Sequence, residues 1–244
     1  MKILKRTAIL KNLMVFLTFS IFYLHVTTSL HEQRSAMDLA WFQSLLFNNK
    51  LLLGFYFSAL CTVFLAKYSS KLFVLMFFSF VFGHTFYFFL ISFDKLILLL
   101  NFAYLVFAFC FYLLWRLELD EAYYAPGFSI YDKEIRPQYN FSVELKVIKT
   151  NEHLKGHLTN WNPNSCFIIL EDKLIDLKGD VELRIDYVDK TFVDRATIVT
   201  SYGAGYGLRI NGLDGVNFTR LNWASFYDII NDRGYTLNFS KVFS

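Results

Sequence analysis

The chain has 244 residues, of which 55% are hydrophobic and 20% aromatic but only 18% charged, and its formal net charge is +3. Soluble domains carry about a quarter of charged residues, so this composition favours a membrane protein and excludes a disordered chain. Residues 1–116 hold ten lysines and arginines against three acidic residues, whereas residues 117–244 hold 14 against 18. We therefore expect a membrane region followed by a mildly acidic water-soluble region, which disfavours binding to DNA or RNA.

Four apolar stretches approach the roughly 20 residues that a helix needs to cross a bilayer. They cover residues 13–29, 51–66, 72–93 and 96–115. The first has the rival interpretation of a cleaved signal peptide, but its long apolar run and poor cleavage site favour an uncleaved span. Residues 38–47 mix apolar and polar side chains, and they either extend the second span or lie in the interface as a short amphipathic helix.

The positive charges predict the orientation of these four spans, because cytoplasmic loops are enriched in lysine and arginine. Seven positive residues lie on the side that holds both termini, and three lie on the other side. The seven are Lys2, Lys5, Arg6, Lys11, Lys67, Lys71 and Arg116, and the three are Arg34, Lys50 and Lys95. We expect a multi-pass protein of the inner (cytoplasmic) membrane, in contact with the lipid bilayer, with both termini in the cytoplasm.

The membrane region shows little chemistry of its own. His84 is the one ionisable residue well inside a span, and we expect it to be neutral and hydrogen-bonded to a neighbouring helix. The spans contain two glycines and no proline, which argues against the broken helices of a transporter. The three cysteines show neither disulfide nor zinc spacing. This region is therefore interpreted as an anchor or an assembly surface.

From residue 117 onward, apolar runs give way to alternation. Val181, Leu183 and Ile185 alternate with charged residues, as in a strand with one buried face. The strand-like segments are residues 143–147, 153–160, 166–171, 181–187, 191–201 and 207–211. Together they predict a small all-β barrel of about six strands over residues 132–244, joined to the last span by a linker over residues 117–131. The apolar spacing from Trp223 to Ile230 predicts a C-terminal helix.

The segment Asn160-Trp161-Asn162-Pro163-Asn164-Ser165, followed by Cys166-Phe167-Ile168, resembles the signature of PilZ domains, [D/N]-x-S-x-x-G before apolar residues. The later Gly205-Tyr206-Gly207-Leu208-Arg209-Ile210 resembles the glycine-containing last barrel strand of that family, and a closing helix follows in both. The resemblance implies a six-stranded barrel that binds cyclic di-GMP through this signature and an Arg-x-x-x-Arg motif on the leading segment.

Several positions depart from the family pattern. Asn160 fits the signature, but Asn162 replaces its Ser and Ser165 replaces its Gly. On the leading segment Arg136 occupies the position of the second arginine, whereas Asp132 occupies that of the first. The cyclic di-GMP site implied by the resemblance comprises Arg136, Lys133, Asn160, Asn162 and Ser165, with no catalytic residue, no metal and no other cofactor.

Two functions follow as expectations. One is a non-enzymatic, membrane-anchored PilZ-like receptor or effector whose barrel reorients on binding cyclic di-GMP. The other is a ligand-independent PilZ-like adaptor that docks a protein partner in a bacterial membrane assembly. The departures favour the adaptor, since a carboxylate at Asp132 repels phosphate and a side chain at Ser165 restricts the backbone. No enzyme is predicted, because His153 and His157 fall in strand-like sequence and no hydrolase or nucleotide-binding loop motif occurs.

Overall fold

The structure, a computed structural model, describes residues 1–128, 139, 141–171, 177–212 and 221–235. The chain forms two compact units. Thr7–Leu119 make up a helical unit, and Met1–Arg6 join Asp120–Ser244 in a β unit. The helical unit therefore ends at Leu119, and the first six residues belong with the β unit.

The helical unit contains α1 (Ala8–His31), α2 (Leu39–Asn48), α3 (Lys50–Phe64), α4 (Ser70–Ser92) and α5 (Lys95–Leu119). By length and composition α1, α4 and α5 are each able to cross a membrane. The pair α2 and α3 meets the same criteria only when taken together, and an 86° bend separates its two helices. The apolar helices expected from the sequence are thus confirmed as three, or four if the bent pair counts as one span.

A buried polar cluster joins three of these helices. Asn101 of α5 is 1% exposed, and its Oδ1 accepts hydrogen bonds from Thr85 Oγ1 of α4 at 2.5 Å and from Tyr23 OH of α1 at 3.1 Å. The Tyr23 ring also stacks on Tyr104 at 4.4 Å between ring centroids. Polar groups buried among apolar helices need such partners, so the cluster fixes how α1, α4 and α5 pack.

His84 has other surroundings than expected. Its ring lies 4.8 Å from that of Phe88 and 6.1 Å from that of Phe80, measured between centroids, and all three residues belong to α4. The described contacts of His84 are therefore aromatic contacts within its own helix, in place of the predicted hydrogen bond to a neighbouring helix.

Over its described residues, the β unit contains seven strands and one α-helix. They are β1 (Lys2–Ile3), β2 (Ser142–Val147), β3 (His153–Asn162), β4 (Ser165–Leu170), β5 (Asp180–Tyr187), β6 (Lys190–Tyr202), β7 (Gly205–Ile210) and α6 (Trp223–Asp232). The strands β6, β5, β2, β3, β4 and β7 are antiparallel neighbours in that order, and pairing between β6 and β7 closes the ring. This confirms the closed six-stranded barrel and the C-terminal helix.

The barrel core follows the predicted alternation. Val181, Leu183 and Ile185 are each at most 2% exposed and belong to one apolar cluster. The helix α6 adds Trp223 and Phe226 to that cluster, because its apolar residues recur with helical spacing. Burial of apolar surface on the inner face of each strand therefore holds the barrel together.

The strand β1 has no counterpart in the sequence expectations. Lys2 pairs with Ser201 and Ile3 with Thr200 on β6, and the Leu4 N–H donates to the Val199 carbonyl at 2.8 Å. A strand of two residues is too short to show an alternating pattern. The sequence before the first membrane helix is thus part of the β sheet.

Candidate functional site

Three of the predicted site residues lie at one tight junction of the barrel. Asn160 and Asn162 end β3, and Ser165 begins β4 after a two-residue turn. The structure therefore places these three residues at the same junction. Lys133 and Arg136, the two cations of the predicted site, lie outside the described residues.

A segment of the chain itself covers this junction. Residues Asp120–Phe128, here called the strap, run from the end of α5 and include a short 3₁₀ turn at Ala122–Tyr124. The strap contacts β3, β4, β6 and β7. Ala122 is fully buried and Tyr123 is 2% exposed. Part of the region predicted as a linker is therefore packed on the barrel.

The strap lies on the strand face opposite the core. Along β4, Cys166 and Ile168 belong to the core cluster, so Ser165 and Phe167 point the other way. The Phe128 ring of the strap packs edge-on against Phe167, with 5.8 Å between ring centroids. Both sides of this part of the barrel are thus buried.

Ser165 makes two polar contacts with the strap. Its hydroxyl donates to Glu121 Oε2 at 2.6 Å and accepts the N–H of Ala122 at 2.9 Å. Ser165 is fully buried, so loss of the hydroxyl would leave a backbone N–H without its partner. Glycine, which the PilZ signature has here, has no atom that makes these bonds.

The two asparagines hold the backbone on either side of this contact. Asn160 Nδ2 donates to the Ala125 carbonyl at 2.6 Å, while its Oδ1 accepts the Trp161 N–H at 2.8 Å. Asn162 Nδ2 donates to the Asp120 carbonyl at 2.9 Å. All three described residues of the predicted nucleotide site therefore bind the strap.

Two threonines that the sequence analysis did not select complete the polar contacts. Thr159 Oγ1 donates to the Pro126 carbonyl at 2.7 Å, and Thr200 Oγ1 donates to the Tyr123 carbonyl. Each lies at a register shift, one between Leu158 and Asn160 and the other between Ile198 and Thr200. Such bulges re-aim side chains, and nothing in the local sequence marks them.

The glycines of β7 give the strap room. A Cβ added to Gly207 would lie 2.5 Å from the Tyr123 carbonyl oxygen and 2.7 Å from its Cα. The strap has a matching glycine, since Gly127 has φ +78° and a Cβ there would lie 2.6 Å from the Thr159 carbonyl oxygen. The glycines of this strand are recognisable in the sequence, but only the fold shows that the strap passes over Gly207.

The other reactive groups of the barrel lie outside the strap contacts. Burial raises the pKa of the Cys166 thiol, which makes it a poor nucleophile. His153 pairs with Glu144 at 2.8 Å and His157 with Glu171 at 3.1 Å. Within the described residues, no group of three or more His, Cys, Asp or Glu is placed to hold a metal ion.

No protein family matches the sequence, and no curated protein matches it. The link to PilZ domains therefore remains a resemblance carried by the residues of the β3–β4 junction and of β7.

Proposed function

We propose that the chain is a non-enzymatic, membrane-anchored PilZ-like adaptor of the bacterial inner membrane, with both termini in the cytoplasm. Its barrel docks a protein partner and does so without cyclic di-GMP. One observation carries this proposal: Asn162 and Ser165, the two departures from the signature, both hydrogen-bond to the strap.

Chemistry at these two positions supports this assignment. Serine in place of glycine supplies a hydroxyl that engages both Glu121 and Ala122. Asparagine in place of serine supplies a longer side chain with N–H donors, one of which reaches Asp120. Both changes favour binding of the strap to the β3–β4 junction. In PilZ domains, which the sequence resembles, the corresponding surface binds nucleotide.

Electrostatics points the same way. The Glu121 carboxylate lies within hydrogen-bond distance of Ser165, and an anionic phosphate placed there would meet a second negative charge. Asp132 stands where the family has its first arginine, so the strongest phosphate ligand of the motif is missing.

The partner is expected to be basic at its contact surface. Residues 117–244 carry 18 acidic against 14 basic residues, and charge complementarity favours encounter with a positive surface. In native membranes, crosslinking is expected to retrieve the same partner from cells with and without the enzymes that make cyclic di-GMP. A partner retrieved only in the presence of the nucleotide would contradict the adaptor.

The receptor is the second candidate, and the Asn162 contact gives it a mechanism. The hydrogen bond from Asn162 to the strap is solvent-exposed, so an incoming ligand has access to it. Cyclic di-GMP bound by Arg136, Lys133 and the signature asparagines would compete with the strap for the barrel surface. Release of the strap from the barrel would then transmit nucleotide binding to the preceding helix. Such a shift requires different affinities for the two arrangements.

Calorimetry on the full chain in lipid nanodiscs separates the two functions. The adaptor predicts no saturable binding of cyclic di-GMP up to about 100 µM, which corresponds to about −5.5 kcal/mol. The matched control restores the family residues with Asp132→Arg, Asn162→Ser and Ser165→Gly, and it is expected to gain binding. Micromolar binding by the unchanged chain, lost on Arg136→Ala, would replace the adaptor with the receptor.

A further inference from the structure

We infer that α3 crosses the bilayer once by itself, and that α2 lies flat in the lipid interface on the side opposite to the one that holds β1 and β6. The interaction surface proposed is the exposed face of α2, and its partner is the headgroup region of the membrane. The sequence left open whether this segment extends the span or lies in the interface, and the structure supplies two independent arguments.

The number of membrane crossings follows from the pairing of β1 with β6. The chain passes from β1 into α1 within a few residues, and from α5 directly into Asp120 of the β unit. Because β1 is hydrogen-bonded to β6, the start of α1 and the end of α5 lie on the same side of the membrane. The number of crossings is therefore even. Since α1, α4 and α5 are each long and apolar enough for one crossing, we infer that the α2–α3 pair supplies a fourth.

The bend between α2 and α3 lies among polar residues. The 86° break falls at Asn48, Asn49 and Lys50, and Asn48 and Lys50 are exposed. A span broken in its middle, or a re-entrant loop, would place these polar groups deep in hydrocarbon, where an exposed lysine costs several kcal/mol. The bend therefore lies at the membrane surface, and α3 begins there.

The length of α3 fits a crossing with flanking charges. Its 15 residues span about 22 Å, against about 30 Å for the hydrocarbon core. Lys50 and Lys67 flank its apolar stretch, and lysines at helix ends reach outward to the headgroups, which accommodates a short span together with local thinning.

The surroundings of α2 suit the interface. Phe42 stacks on Phe22 of α1 at 5.2 Å between centroids, which anchors one face of the helix. Leu39 and Phe47, eight residues apart on this helix, are each 73% exposed. The guanidinium of Arg34 covers the Trp41 ring at 4.4 Å, and tryptophan and arginine are characteristic of the headgroup region.

Site-specific labelling of the reconstituted full chain tests both parts. In a Cys61→Ala, Cys110→Ala background, single cysteines replace Met37, Lys67, Asp94 or Lys190, and an impermeant maleimide is added to sealed vesicles. Lys67→Cys is expected to react from the same side as Lys190→Cys in the barrel, and Met37→Cys and Asp94→Cys from the other. If Lys67→Cys instead reacts from the side of Met37→Cys, α3 does not cross.

Spin labels at Leu39→Cys and Phe47→Cys then report the depth of α2. A helix parallel to the membrane gives both labels the same shallow depth, with equal collision rates with oxygen. A helix along the membrane normal would separate the two labels by about 12 Å. Unequal depths would overturn the interfacial placement while leaving the crossing of α3 to be decided by the maleimide result.

Discussion

Gly207 of β7 lies directly beneath Tyr123 of the strap, with space for a hydrogen atom but not for a methyl group. A Cβ at Gly207 would lie 2.5 Å from the Tyr123 carbonyl oxygen and would also meet Thr200 Oγ1. The neighbours at this point are backbone atoms and a buried hydroxyl, so the strap itself has to move if the glycine is replaced. This close approach makes the strap testable by single substitutions.

Gly207→Ala is expected to loosen the strap. Overpacking of this kind costs about 1–3 kcal/mol, which corresponds to at least about a fivefold gain in amide exchange over residues 120–128. Hydrogen exchange with mass spectrometry on the full chain measures it. Arg209→Ala, at an exposed position on the same strand, is the matched control and should leave strap exchange unchanged. Equal exchange in Gly207→Ala and the unchanged chain would argue against the packed strap.

Substitutions of the two asparagines should differ in size. Asn160→Asp keeps the acceptor for the Trp161 N–H but turns an oxygen towards the Ala125 carbonyl, so two acceptors meet at a buried site. The expected loss is about 1–3 kcal/mol, because a buried group loses its partner. Asn162→Ala removes an exposed hydrogen bond and should cost about 0.5–1.5 kcal/mol. The same exchange measurement ranks them, and a larger effect at Asn162 would contradict this geometry.

The pairing of β1 with β6 predicts a specific crosslink. Lys2 and Ser201 face each other in the sheet, and directly opposed Cβ atoms in antiparallel strands lie about 4.5–5.5 Å apart. Lys2→Cys/Ser201→Cys should therefore crosslink within one chain under mild oxidation, detected as joined peptides after proteolysis. Lys2→Cys/Lys190→Cys is the control, since Lys190 lies at the far end of β6. Comparable crosslinking of both pairs would remove the argument from an even number of crossings.

Asp194 predicts a pH dependence of barrel stability. Burial raises the pKa of its carboxyl, while N–H groups of Trp223 and Arg195 oppose this shift. Because the folded-state pKa is raised, the stability linked to Asp194 is fully present below the ordinary pKa of 3.8 and is lost as pH rises through the folded-state value.

The measurement compares Asp194→Asn with the unchanged chain. The stability of Asp194→Asn relative to the unchanged chain should rise across that pH window and then become constant. The full chain is unfolded with denaturant in detergent at each pH, and hydrogen exchange of the β6 and α6 amides reports the unfolding. The two free energies of unfolding measured in this way give the difference. If the stability of Asp194→Asn relative to the unchanged chain falls as pH rises, the N–H donors lower the pKa of Asp194 by more than burial raises it.

The sequence by itself determined the apolar helices and the barrel strands, because composition and periodicity show which segments avoid water and which strand faces are buried. Apolar runs located α1, α4 and α5, and alternation located the six barrel strands. The asparagines and serine of the β3–β4 junction were found because turn residues follow a strand there. These patterns are local, so each can be recognised from a short segment of the sequence alone.

Only the tertiary structure decided what those residues contact. A hydrogen bond between Ser165 and Glu121 joins residues 44 positions apart, and β1 meets β6 across nearly the whole chain. The bulges that aim Thr159 and Thr200 depend on strand register. Contacts of this range arise from closing the barrel, and no local pattern of hydrophobicity encodes which segment will lie on its outer face.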